Sequence, residues 1–278
     1  METTSLLLRA PSANLVYTAA AGPLARAEAR WVLGADLGTA PEVRERRVGG
    51  MDALEIHASE VASDQGARLL GSRSATLGVL DLVEDDPETP VLRPRNPPDL
   101  FRHPADLETI LKCPGKTNEQ FTALLVNLAA DRQTLRAGRG QSLTMLGCDT
   151  TRLGELLPAR SVDALVADLP YGVQHGARAD GTWRRTLREV LRSAADGWRR
   201  LLRDGGGFVL AVNRRTLDHD AADEVLAAAG FRILSRDGAF RHHVDRSIDR
   251  DVLLAVPTDH PQLEQLSALD ADQETDRP

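Results

Sequence analysis

Apolar residues along the chain recur at two spacings, and each change of spacing marks an element. Short apolar runs bounded by glycine or proline predict strands, and apolar residues three and four apart predict helices. Asn14–Ala20 (NLVYTAA) reads as a strand, Pro23–Leu33 (PLARAEARWVL) as a helix opened by its proline, and Val43–Ala58 as two strands meeting at Gly49-Gly50. Glu60–Arg73 reads as a second helix and Ala75–Val83 as a last strand. The order βαββαβ predicts a ferredoxin-like α+β module over residues 1–84. Prolines 87, 90, 94, 97, 98 and 104 then predict a semi-rigid extended linker over 85–105.

From residue 106 to 257 the pattern predicts a second, α/β domain. Thr117–Gln120 has the form of a capping box and opens a helix with the stripe Phe121, Leu124, Leu125 and Leu128. Leu143–Cys148 reads as a strand ending at Asp149, Thr151–Leu157 as a short helix, and Val162–Ala167 as a buried strand. Thr182–Arg203 reads as one amphipathic helix ended by Gly205-Gly206-Gly207, and Phe208–Asn213 as the following strand. A helix over Leu217–Ala229 and two last strands, FRILSR and DVLLAVP, complete the sheet as an antiparallel pair at one edge. Residues 258–278, polar and acidic, are expected to be disordered.

The chemistry concentrates where the strand Val162–Ala167 stops in Asp168-Leu169-Pro170-Tyr171-Gly172. Pro170 cannot donate to a ladder and keeps Leu169 out of the helical region, so the chain turns just as it leaves the sheet. An acid and an aromatic ring then stand at a strand's carboxyl end, where open α/β sheets bind ligands. This arrangement suits methyl transfer to the exocyclic amine of a base. Such an amine is a poor nucleophile, and a catalyst must accept hydrogen bonds from its two N–H groups. Asp168 and the Leu169 carbonyl would be the two acceptors, and Tyr171 would stack on the base.

The run DLPYG resembles the DPPYG signature of S-adenosylmethionine-dependent amino-methyltransferases, in particular the tRNA guanine-N2 methyltransferases with an extra N-terminal RNA-binding region. Leu111–Ala129 and His242–Val256 are similar to the same group. The resemblance implies a Rossmann-like methyltransferase sheet, complete or lacking its first strands, with S-adenosyl-L-methionine as cofactor and RNA, tRNA above all, as partner. It implies catalytic roles for Asp168, Leu169, Pro170 and Tyr171. Lys116 and Asn118 would lie at the pocket edge, with Gly172 and His175 near the base. Asp149 and Thr150 would contact the cofactor, Asp149 accepting from the adenine amine.

One signature of that family is altered. A strand ending in an Asp-Pro-x-x-Gly-x-Gly loop belongs between Ala129 and Leu143, where this chain has DRQTLRAGRGQSL. Gly138 and Gly140 would be the remnant of the loop. The helix, second strand and ribose-binding acid that should follow are missing. The cofactor site is therefore incomplete, built differently, or shared with a partner subunit or a second copy. The alternative function is a catalytically inactive methyltransferase-like protein that binds RNA or a partner subunit; a third is a methyltransferase for a small-molecule amine.

Charge qualifies the picture. Net charge is −7 with a pI near 5.5, which by itself does not advertise a nucleic-acid binder. Its distribution does more, because residues 178–203 carry eight Arg against three acids. Arg185, Arg188 and Arg192 are the candidate phosphate contacts on that stripe. Gly115-Lys116-Thr117 lacks the earlier glycine of a phosphate loop and is not read as one. Two cysteines, Cys113 and Cys148, exclude a disulfide framework, and neither they nor His175, His242 and His243 have metal-ligand spacing. Asp245 and Arg250 fall in the family-like run and equally suit a sheet-edge ion pair. The start METTSLLLRAPSA has no basic leader region and no stretch reaches the ~18–20 apolar residues of a membrane span, so a soluble cytoplasmic enzyme is expected.

Overall fold

The structure, a computed structural model, describes residues 4–11, 15–86, 89–95, 117–129, 147–169, 177–179, 182–235, 237–244 and 246–272. The chain is α/β, with two larger sheets and one two-stranded hairpin among the described residues, and divides into two compact units, Met1–Asn127 and Leu128–Pro278. The division falls after the proline-rich stretch expected to hold it.

In the first unit β1 (Thr4–Arg9), β2 (Glu42–Val48), β3 (Met51–His57), β4 (Thr76–Glu84) and β5 (Val91–Arg95) form one antiparallel sheet in the order β2-β3-β1-β4-β5. Helices α1 (Leu15–Leu37) and α2 (Asp64–Gly71) follow β1 and β3, so the first six elements run βαββαβ. Leu7, Leu54, Ile56 and Val79 meet Ala25, Ala29, Leu33 and Leu70 in one core. Leu6 and Leu8, alternating with Leu7, join Val48 and Ala53 in a second cluster. Gly49 and Gly50 have φ of 56° and 82°, the pair of left-handed residues that a two-residue hairpin turn demands.

Three expectations for this unit are corrected. NLVYTAA is not a strand: its described residues are the first turns of α1, and the strand that opens the module is the earlier TSLLLR. Tyr17, Ala21, Leu24, Ala25 and Ala29, spaced four and three apart, are all buried, and this helical stripe carries α1 through Pro23. The linker is not extended spacer throughout, because Val91–Arg95 pairs with β4; Pro94 is admitted because β5 ends the described sheet. The helix expected at 117 is α3 (Glu119–Ala129), and its N-cap is Asn118, whose Oδ1 accepts from the Phe121 N–H at 3.0 Å. Its stripe Phe121, Leu124, Leu125 and Leu128 is buried as expected.

In the second unit β6 (Val162–Asp168) pairs in parallel with β9 (Leu202–Asn213), and β9 pairs antiparallel with β12 (Asp249–Pro257). β10 (Phe231–Ile233) and β11 (His242–His243) lie antiparallel to β12, giving the order β10-β12-β9-β6. β7 (Ala177–Ala179) and β8 (Thr182–Arg185) form a separate hairpin. A 3-10 turn, Thr150–Arg152, leads into the single turn α4 (Leu153–Leu156). Helix α5 (Leu187–Leu201) makes the crossover from β6 to β9, and α6 (His219–Ala228) follows β9. Leu191, Ala194 and Trp198 of α5 pack with Val225 and Leu226 of α6 against Phe208, Leu210, Val212 and Leu253 of the sheet.

Here too the structure corrects the expected boundaries. The helix does not start at Thr182: Thr186 and Glu189 form a capping box, which leaves residues 182–185 to β8. The triple glycine lies inside β9, where Val162 pairs with Leu202 but Ala164 with Gly207. The extra residues bulge out, with Gly205 at φ 75°. β6 is not buried on both faces; Val166 is 38% exposed because no described strand lies beyond β6. The antiparallel pair expected at one edge is present as β10 and β12, with β12 lying between β10 and β9. After Pro257 comes a helix, α7 (Leu263–Asp272), not a disordered tail: Leu263, Leu266 and Leu269 share a side, and Leu269 is buried. Among the described residues no helix is long and apolar enough to cross a membrane.

Candidate active site

The parallel pair β6 and β9 sends both carboxyl ends to one edge of the second sheet. Asp168 ends β6 opposite Ala211, and the Leu169 N–H extends the ladder by donating to the Ala211 carbonyl at 3.2 Å. The Leu169 side chain is buried in the core beside α5, so an apolar residue there anchors the turn while Asp168, the residue before it, faces the opposite side and is exposed. Pro170, Tyr171, Gly172 and His175 lie outside the described residues, as do Lys116, Gly138 and Gly140.

β9 ends in Asn213, which is 1% exposed and ties three segments together. Its Oδ1 accepts from the N–H groups of Arg215 and Asp249, both at 3.2 Å, and its amide donates to the Ser247 carbonyl at 3.1 Å. Asp249 opens β12, so a single side chain fixes where β12 enters the sheet beside β9.

The register divides the polar residues of this edge between two faces. Ala211 pairs with Asp168 and with Val252; two residues on, Asn213 pairs with Arg250, which pairs with His242. Partners across a ladder and residues two apart share a face, so Asp168, Asn213, Arg250 and His242 lie on one face. Asp249, Asp251 and His243 lie on the other.

On that second face Asp251 is nearly fully buried, accepting from Arg214 Nη1 at 3.0 Å and from the N–H groups of Gly238 and Phe240 at 2.9 and 3.2 Å. Burial pushes its carboxyl above the usual range, against the pull of these donors. Arg214 also grips Asp237, whose carboxyl that bond holds low. Arg241 binds both oxygens of Asp249 at 3.0 and 2.8 Å; burial works to raise the Asp249 carboxyl, and Arg241 with its neighbouring cations outweighs it and keeps the group low. The loop 237–241 is thus clamped to the sheet by two arginine–aspartate systems.

His242 is 4% exposed, and desolvation pulls its imidazole down to about 4, against a hydrogen bond between Nδ1 and the Phe240 carbonyl at 3.0 Å. It is therefore neutral at pH 7, with the proton on Nδ1 directed at that carbonyl.

Three arginines of the stripe are held in ion pairs. Arg188 pairs with Glu224 of α6, Arg199 with Asp259 at 2.5 Å and Arg203 with Asp163 at 2.6 Å. Arg185 stands in β8 rather than on the helix, and Arg192 is exposed on α5. A crossover helix runs antiparallel to its strands, so Arg188 and Arg192, in the first turns of α5, are the ones nearest the carboxyl edge.

Asp149 is an N-cap: its Oδ1 accepts from the Thr151 N–H at 3.0 Å and hydroxyl at 2.8 Å. Thr150 begins the 3-10 turn behind it. Among the described residues no group of His, Cys, Asp and Glu is disposed to hold a metal ion.

The sequence pointed to Asp168 and passed over Asn213, Arg214 and Asp251. Their signal was available: Asn213 ends the apolar run FVLAV just as Asp168 ends VDALVA, and Asp-Arg-Asp opens DRDVLLAV with alternating charge. No protein-family model and no curated protein matches this chain.

Proposed function

We propose that this chain is an S-adenosylmethionine-dependent N-methyltransferase acting on an exocyclic base amine of RNA, with guanine N2 in tRNA the leading substrate. The observation that carries the reading is Asp168-Leu169 at the carboxyl end of β6, beside the parallel strand β9. That is where Rossmann-like sheets place their ligands, and the crossover β6–α5–β9 is the repeating unit of such a sheet. The βαββαβ order and the strand order of the first unit support a ferredoxin-like module as its companion.

In this reading the Asp168 carboxylate and the Leu169 carbonyl accept the two N–H groups of the amine and turn its lone pair out of conjugation with the ring. The bound cofactor supplies an activated methyl group, so the protein's task is to position the nucleophile and exclude water. The Asn213 bonds hold β9 and β12 at fixed spacing, which keeps Asp168 in place. Arg188 and Arg192 would meet phosphates, and RNA affinity would fall with salt.

The described residues do not assemble a cofactor cradle. Asp149 spends an oxygen on its cap, and β6 is the last described strand on the side where cofactor-binding strands would stand. Only seventeen residues, 130–146, separate α3 from Gly147, too few for the ~30 residues of a βαβ unit. This favours a second reading, a catalytically inactive relative that binds RNA or takes its cofactor site from a partner subunit.

Calorimetric titration with S-adenosylmethionine and S-adenosylhomocysteine separates the two. One site per chain with micromolar affinity supports the enzyme, and an absence of heat at high protein concentration supports the inactive relative. An Asp168→Ala variant that methylates RNA as fast as the parent would remove the catalytic role assigned to Asp168.

A further inference from the structure

One side of β6 pairs with β9, and among the described residues no strand pairs with the other. The Leu169 N–H donates to the Ala211 carbonyl of β9, so alternate residues back along the strand, Ala167 and Leu165, aim their backbone groups at β9 as well. Those of Ala164 and Val166 point the opposite way, out of the sheet. No residue of β6 is fully buried, whereas Phe208–Asn213 of β9 all are, and Val166 is exposed. Val162–Asp168 contains no proline, glycine or lysine, the residues that commonly block pairing at such a position, and the bulge of the β6–β9 pair lies in β9.

We infer that β6 is the interface of a two-fold homodimer, in which it pairs antiparallel with β6 of a second copy of this chain. An axis through Leu165 sets Ala164 opposite Val166 of the second copy and Val162 opposite its Asp168. Residues with outward backbone groups then face each other, which is the hydrogen-bonded arrangement of an antiparallel ladder, and its centre supplies about four bonds. Ala164 meets Val166 on one face and Leu165 meets its own counterpart on the other, so the cross-strand contacts are apolar. The charges are compatible. Asp163 stands opposite Ala167, and the first charged residue beyond Val162, which faces Asp168 of the other copy, is Arg160, 63% exposed in its ion pair with Asp204. The order β10-β12-β9-β6 would continue into the same four strands in reverse. Each Asp168 would then be bordered by the amino end of the other β6, at an edge where one chain by itself assembles no cofactor cradle. The pairing does not depend on the methyl-transfer reading. One strand against one strand covers less than the ~1,600 Å² of a standard interface, so the dimer is expected to dissociate on dilution.

Sedimentation equilibrium of the full chain, from dilute to concentrated solution, is expected to show the mass rising from the 30.2 kDa of one chain toward twice that. Hydrogen exchange locates the contact. The Ala164 and Val166 amides should slow at least about tenfold over the same range, while those of Leu165 and Ala167, already bonded to β9, change far less. Val166→Pro removes an outward N–H, and Val166→Lys sets an ammonium group against Ala164 of the other copy. Each is expected to raise the dissociation constant more than about tenfold, and thermal melting in dilute solution checks that both variants fold. A mass that stays at 30.2 kDa at every concentration overturns the homodimer. A dimer in which the Ala164 and Val166 amides exchange as in the monomer does so too, because its interface lies elsewhere. Full protection of those amides already in dilute solution overturns it as well, because a segment of the same chain then occupies the edge. So does a folded Val166→Lys variant that dimerises as tightly as the parent.

Discussion

Each unit buries a carboxylate, and the two are held by different kinds of partner. Glu28, fully buried in α1, takes uncharged donors: the Ser74 N–H at 3.0 Å, the Ser74 hydroxyl and the Asn127 amide at 2.6 Å. The nearest guanidinium nitrogen, on Arg73, stands off at 3.9 Å. Asp251 instead takes Arg214 and two backbone N–H groups of a loop. Glu28 joins α1, the turn after α2 and α3 into one core, while Asp251 fastens a surface loop to the edge where Asp168 stands. A buried carboxylate thus serves as a structural joint in one unit and as the anchor of a candidate site in the other.

Removing each acid should expose that contrast. Glu28→Ala strands the Ser74 and Asn127 donors and opens a cavity, and is expected to cost about 4 kcal/mol in the denaturant unfolding of the first unit. Glu28→Gln keeps an acceptor and should cost less than half as much; equal losses would show that the charge itself stabilises the joint.

The second unit should respond to pH through His242. Folded His242 titrates near 4 and the unfolded imidazole near 6.5, so between these values the unfolded chain binds the extra proton. Stability is then complete above about 6.5 and is lost as pH falls toward 4, by at most about 3 kcal/mol at 1.36 kcal/mol per pH unit. Asp251 works in the opposite sense. Its raised folded value means the native state keeps its proton longer, so its contribution declines as pH rises from 3.8 through that value. His242→Phe should remove the loss between 6.5 and 4, and a variant that melts with the parent's pH profile would assign the slope elsewhere.

Asp251→Ala is expected to cost about 2 kcal/mol, since Arg214 keeps Asp237. The amide protons of Gly238 and Phe240 should exchange faster in it while those of β9 do not. The smallest effect belongs to the surface: Arg188→Ala should change stability by under about 0.5 kcal/mol. A larger loss would mean that the α5–α6 ion pair is structural, and it would weaken the reading of Arg188 as a phosphate contact.

Elements were legible where one local signal decided them. Gly49-Gly50 located the first hairpin, the Phe121 to Leu128 stripe located α3, and DLPYG located the end of β6. Reading failed where two local signals competed and tertiary burial chose between them. Val16, Tyr17 and Thr18 have strand-forming side chains, and Pro23 looks like a helix start, yet the buried stripe from Tyr17 to Ala29 makes one helix of both. Trp183 and Leu187 fit a helical stripe, and the Thr186–Glu189 capping box sets the start between them. Of the site, sequence could single out Asp168 because a proline and an aromatic residue mark it. Asn213, Asp251 and Arg250 carry no such mark. Their significance comes from register, which places residues 45 to 83 positions from Asp168 on or behind the same edge.

Pro94 has a consequence for the protein's life in concentrated solution. A sheet's outermost strands are templates onto which another chain can add, and growth by that route leads to fibrils. The described sheet of the first unit ends on one side in β5, where Pro94 offers no N–H, and on the other in β2, whose EVRERRV carries five charges. Both borders are therefore poor seeds, and the unit can keep a largely apolar sheet without recruiting copies of itself.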